Sequence, residues 1–74
     1  MVLDVESTRI LAKGLTMAFG GMLPAWAVGN IVGKAMEAIG RNPEASDKVF
    51  VPMLLGAAFA EAIAIYSLVV VFVL

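Results

Sequence analysis

From Gly14 to Gly33 the chain runs for twenty residues without a charged side chain, and from Val49 to Leu74 for twenty-six with only one, Glu61. Neither run alternates with period two, so neither reads as a strand of a membrane barrel. Each is long enough to cross a hydrocarbon layer about 30 Å thick as an α-helix, and lipid leaves a backbone only helices or closed barrels. The pattern predicts an all-α fold, a transmembrane helical hairpin. It forms one domain over 1–74, with helix 1 at about 8–40, a polar loop at about 41–46 and helix 2 at about 47–74.

The connector reads Gly40-Arg41-Asn42-Pro43-Glu44-Ala45-Ser46-Asp47. Gly40 is expected to end helix 1, because glycine tolerates positive φ, and Pro43 to push Asn42 out of the α region. Helix 2 then starts with Asn42 as N-cap and Pro43 at the first helical position, or with Ser46 as N-cap and Asp47 against the helix dipole. The sequence leaves both open. Pro52 falls in the early turns of helix 2, where a slight kink is tolerated.

Composition decides where the apolar surface goes. The chain is 62% hydrophobic and 15% charged, against about a quarter charged in soluble domains. With 74 residues it is too short to hide that surface in a core of its own, so the surface must face lipid, other chains, or both. No Cys and no His are present, which removes disulfides and the common zinc sites. A net charge of −1 without a basic run speaks against nucleic acid. A secretory signal is not expected, since Asp4 and Glu6 precede Arg9 and the first apolar run is too long. Lys34, Arg41 and Lys48 flank the connector, against Arg9 and Lys13 near the N-terminus. The positive-inside rule then places the loop in the cytoplasm and both termini outside.

Helix 1 carries a stripe of small residues. Gly21, Ala25, Gly29 and Gly33 recur every four positions, Gly14 and Ala18 extend the stripe backwards, and Ala27 slims an adjoining face. Such stripes let helix backbones approach closely in lipid. A slim helix beside a bulkier one makes a wedge, and wedges side by side close into a ring.

Glu61 carries the chemistry. Twelve residues of its run precede it and thirteen follow, which puts it near the bilayer midplane. An ionised carboxylate is several kcal/mol unfavourable at that depth. Desolvation favours the neutral acid, so Glu61 is expected to load and release a proton. Hairpin symmetry about residue 42 would set it opposite position 23, with Pro24, Ala25, Ala27 and Val28 as neighbours, and Tyr66 offers a hydroxyl about a turn and a half along helix 2. A hard cation such as sodium needs several oxygen ligands, and this neighbourhood supplies too few. The expected ion is a proton, with no metal site and no cofactor. One carboxylate without a nucleophile–base pair does not make an enzyme.

Together the hairpin, the small-residue helix, the loop Arg41-Asn42-Pro43-Glu44-Ala45, the segment Gly33-Lys34-Ala35-Met36-Glu37 and the run Ala60-Glu61-Ala62-Ile63-Ala64-Ile65-Tyr66 resemble the c subunit (proteolipid) of F-type ATP synthases. The resemblance covers about Leu11 to the C-terminus. Two departures stand out: Asn42 where the family usually has Gln, and Leu23, Ala25, Ala27 and Gly29 where it commonly alternates glycines, with Pro24 retained. The second leaves the copy number of a ring open. The resemblance implies a homo-oligomeric rotor ring in membrane lipid, in bacteria the inner membrane. Its protons would be released beside an arginine of stator subunit a, and its loop, at Arg41, Asn42 and Pro43, would meet the central stalk. It also implies Glu61 as the proton-binding carboxylate, with Tyr66 and the backbone carbonyl of Phe59 locking the protonated form. Sodium-driven relatives carry Gln and Ser where this chain has Val28 and Ala62, in keeping with a proton. Two other classes compete: a small pore-forming or structural hairpin without a motor, and an assembly partner of a larger membrane enzyme.

Overall fold

The computed structural model describes residues 4–74 as two antiparallel helices, α1 (Val5–Arg41) and α2 (Ser46–Val73), joined by a short 3-10 turn at Pro43–Ala45. The hairpin is a flat rod with extents of 59 × 21 × 7 Å. Both helices are long and apolar enough to cross a membrane.

Helix α1 starts earlier than the hydrophobic pattern indicates, at Val5 rather than near residue 8. Asp4 adopts an extended conformation and its Oδ1 accepts from the Ser7 amide at 2.7 Å, satisfying one of the free donors of the first turn. That hydrogen bond holds the Asp4 carboxyl below the usual carboxylate range. Arg9 reaches Glu6 at 3.6 Å on the exposed surface of the same turn, a contact that contributes little.

The other end corrects the sequence reading. No described glycine has positive φ, and α1 runs through Gly40 to Arg41. Termination comes from Asn42, extended at φ −144° and ψ 89°, because the proline ring of Pro43 excludes the helical conformation there. Asn42 also caps the turn beyond it. Its Oδ1 accepts from the Glu44 amide at 3.3 Å, and Pro43 occupies the first position, where no N–H is needed. Ser46 is already helical and is not the N-cap of α2. The polar loop therefore shrinks to one extended residue and one tight turn.

Among the described residues only Pro24, Ala35 and Ala60 are buried, all three at the contact between the helices. Trp26, Phe59 and Tyr66 are 68–69% exposed and Phe72 80%. A soluble protein does not leave such a surface bare. The helices meet along a narrow seam, where small residues on one side receive larger ones from the other. A Cβ on Gly20 would land on Ser67, and one on Gly56 would come 3.3 Å from Ile31. Both pairs give the same register, with the fold-back between Pro43 and Glu44.

Candidate proton-binding site

That register moves the partner of Glu61. Symmetry about residue 42 sets it opposite position 23; the observed register sets it level with Trp26, three residues nearer the loop. The shift has a local cause, since α1 extends past Gly40 and the turn lies beyond Asn42. Pro24 is buried in the seam, Ala27 and Val28 are half-buried, and Ala25 is exposed.

Glu61 itself is exposed on the hairpin surface. It shares a flank of α2 with Leu54 and Leu68, each seven residues away and therefore on the same side of the helix. Tyr66 and Phe59 stand on the opposite flank, seven residues apart and in line with Pro52. Five residues separate Tyr66 from Glu61 along the chain, which turns the two side chains about 140° apart. Within one chain the two therefore do not share a face of α2. The Phe59 side chain faces away from Glu61 for the same reason. Ala62 is half-buried on α2, and Val28 lies on α1 toward the seam.

The small-residue stripe behaves in the same way. Gly14, Gly29 and Gly33 have nothing within 4 Å of where a Cβ would stand, and Gly21 meets only the Met17 methyl group of its own helix, at 3.3 Å. The close packing expected of this stripe is not used inside the hairpin. The glycines that hold the two helices together are Gly20 and Gly56 instead. A search for the four-residue repeat passes over both, because they sit outside it. Their signal is positional: each lies opposite a branched or polar residue in the antiparallel register.

One groove ties the flanks of the two helices together. Asn30 and Lys34 of α1 line it with Lys48 and Pro52 of α2, so the Pro52–Phe59–Tyr66 flank adjoins the Asn30 side of α1. Ala18 and Ala25, seven apart, then lie on the other side of α1, with Glu61. A hairpin with an acid and small residues on one side, and aromatic side chains on the other, can join copies side to side.

A family model for the C subunit of ATP synthase matches residues 11–74. The chain belongs to this family. Relatives named as the c subunit of ATP synthase are similar to it over nearly all of its length. The one from Dehalococcoides mccartyi is 44% identical over 72 residues, covering 97% of this chain and 95% of the relative. That from Chloroflexus aurantiacus is 40% identical over 70 residues, covering 95% and 92%. That from Protochlamydia amoebophila is 55% identical over 71 residues, covering 96% of this chain and 72% of its own length. The fold, a membrane-embedded helical hairpin of a ring-forming ATP synthase component, agrees with the sequence expectation.

Proposed function

We propose that the chain is the proton-carrying rotor subunit of a proton-driven ATP synthase, and that Glu61 is the group that takes up and releases the proton. One observation carries this reading: Glu61 is the only charged residue type in either apolar run, and it stands at mid-span on an exposed flank. A neutral Glu61 can face lipid at small cost, so the ring can turn through the bilayer. An ionised one cannot. It stays beside the arginine of stator subunit a until it is reloaded, and the places of loading and unloading set the direction of rotation.

The opposed flanks of α2 support a reading in which the site is shared between copies. Glu61 of one copy meets the Tyr66 hydroxyl and the Phe59 backbone carbonyl of the next, which would hold the protonated acid by hydrogen bonds. Val28 and Ala62 bring no further oxygen ligand, in keeping with a proton as the ion. No cofactor is required. The short turn at Arg41, Asn42 and Pro43 meets the central stalk, on the cytoplasmic side of a bacterial inner membrane. The subunit is not itself catalytic; it couples proton flow to ATP synthesis elsewhere in the complex.

Glu61→Gln in the assembled synthase tests the reading. Ring assembly should persist and proton-driven ATP synthesis should stop. Continued synthesis would overturn the assignment and favour a structural hairpin. A carbodiimide, which attacks protonated carboxyls, should label Glu61 less as pH rises, and millimolar sodium should give no protection.

A further inference from the structure

On the loop-side half of the hairpin the groove between the helices is lined by Asn30, Ile31 and Lys34 of α1 and by Lys48, Val49 and Met53 of α2. Two lysine ammoniums line it and no carboxylate does. The one ion pair among the described residues, Arg9 with Glu6, lies at the other end of the hairpin. Lys34, Lys48 and Asp47 are all exposed.

Asp47 stands on the other flank of the hairpin. It precedes Leu54 by seven residues, as Leu54 precedes Glu61 and Glu61 precedes Leu68, so the four share one side of α2. Lys48 comes four residues before Pro52, on the side of Phe59 and Tyr66. Adjacent residues of a helix are turned about 100° apart, and here that turn puts the acid on one flank and the base on the other. Val49 opens the second apolar run directly after them, so both charges lie at the edge of the membrane.

We infer that the groove is a socket for the next copy of this chain, whose Asp47 carboxylate pairs with Lys48 while Phe50 and Leu54 cover Val49 and Met53. Copies related by rotation about an axis along the helices stay at one height, so Asp47 of one stands within about 1.5 Å of the level of Lys48 of the next. Charge complementarity and continuity fix this occupant. The groove opens on the Tyr66 flank and Asp47 lies on the Glu61 flank, so the contact carries the side-to-side arrangement from mid-span to the membrane edge. A two-fold contact, which joins like surfaces, would set Asp47 against Asp47 or Lys48 against Lys48. Like charges penalise that arrangement, and opposite charges favour the head-to-tail contact that closes a ring. An exposed ion pair adds little stability; its effect is on which flank meets which. The inference rests on the shared-site reading of the flanks and not on the titration of Glu61.

The test uses the oligomer of the full-length chain in mild detergent, stripped of soluble subunits. A water-soluble carbodiimide joins a carboxylate to an amine in contact with it, taking up the water released. The wild type should give a ladder of linked copies on a denaturing gel, with the link mapped by mass spectrometry to Asp47 and Lys48. Asp47→Asn and Lys48→Gln should each cut the ladder at least fivefold, whereas Glu37→Gln and Glu44→Gln should leave it unchanged. Asp47→Lys or Lys48→Asp alone should abolish the link, and the two together should restore it with the charges exchanged. A ladder that survives Asp47→Asn, or a link mapped to Glu37 or Glu44, would overturn the proposal. So would links confined to single copies, or a ladder that forms only with soluble subunits bound, which would make the stalk the partner of Asp47. Glu61→Gln should keep the ladder while losing proton translocation. Disulfides between Leu68→Cys and Tyr66→Cys of adjoining copies report the flank arrangement by itself, so their formation without the Asp47 link would sink this inference alone.

Discussion

Gly20 of α1 and Ser67 of α2 face each other across the hairpin with no room for a methyl group between them. Pro24, one turn further along α1, has no N–H to give to the Gly20 carbonyl, so this close approach falls at a weakened point of the helix. The Ser67 hydroxyl lies 3.4 Å from the Ile63 carbonyl of its own helix, a long contact that leaves packing as the main work of this pair.

Gly20→Ala should push the helices apart and lower the stability of the detergent-solubilised protein by about 1–3 kcal/mol, the usual range for overpacking. Thermal unfolding measures the loss. Ser67→Ala should not rescue it, since the Ser67 Cβ obstructs as well as its Oγ. Ser67→Gly should. A double-mutant cycle with no coupling between the two positions would refute the contact.

Gly29 and Gly33 give the opposite expectation. Each has open space around it, so Gly29→Ala and Gly33→Ala should leave the helical content of the hairpin intact or raise it slightly, as removal of glycine from a helix does. Any loss should show in the oligomer, measured by its resistance to dissociation in detergent. A hairpin that unfolds while the oligomer is unaffected would place the stripe inside the fold.

The opposed flanks of α2 can be tested with cysteines. Leu68→Cys lies on the Glu61 flank and Tyr66→Cys on the other. The double variant should form a ladder of cross-linked copies on oxidation, and each single variant should stay monomeric on a denaturing gel. This is the signature of head-to-tail contacts that close into a ring. Dimers from Leu68→Cys alone would indicate a two-fold contact instead.

Asp4 should give the first turn of α1 a dependence on acidity. Its carboxyl is held below the ordinary value by the Ser7 amide, so its stabilising effect is present above the unfolded value and is lost as pH falls through the lower folded one. Amide exchange at Ser7 should accelerate in that acid window, and in Asp4→Ala it should be fast throughout.

Two runs free of charge, apart from one acid, determined the hairpin, its membrane-crossing length and the mid-span depth of Glu61, because lipid admits no other backbone arrangement and penalises an ionised group at its centre. Pro43 set the end of α1 through its own ring, a purely local effect. What only the tertiary structure decided was register and side. The three-residue shift that moves the position opposite Glu61 from 23 to Trp26 comes from where the turn closes and from which glycine accepts which neighbour. The exposure of Glu61 and the outward aim of Gly29 and Gly33 reflect which strip of each helix is spent on the other. A repeat of small residues marks a face suited to close approach, but it does not name the helix that approaches. That choice is made by packing across the whole seam, where Gly20 and Gly56 outcompete the regular stripe.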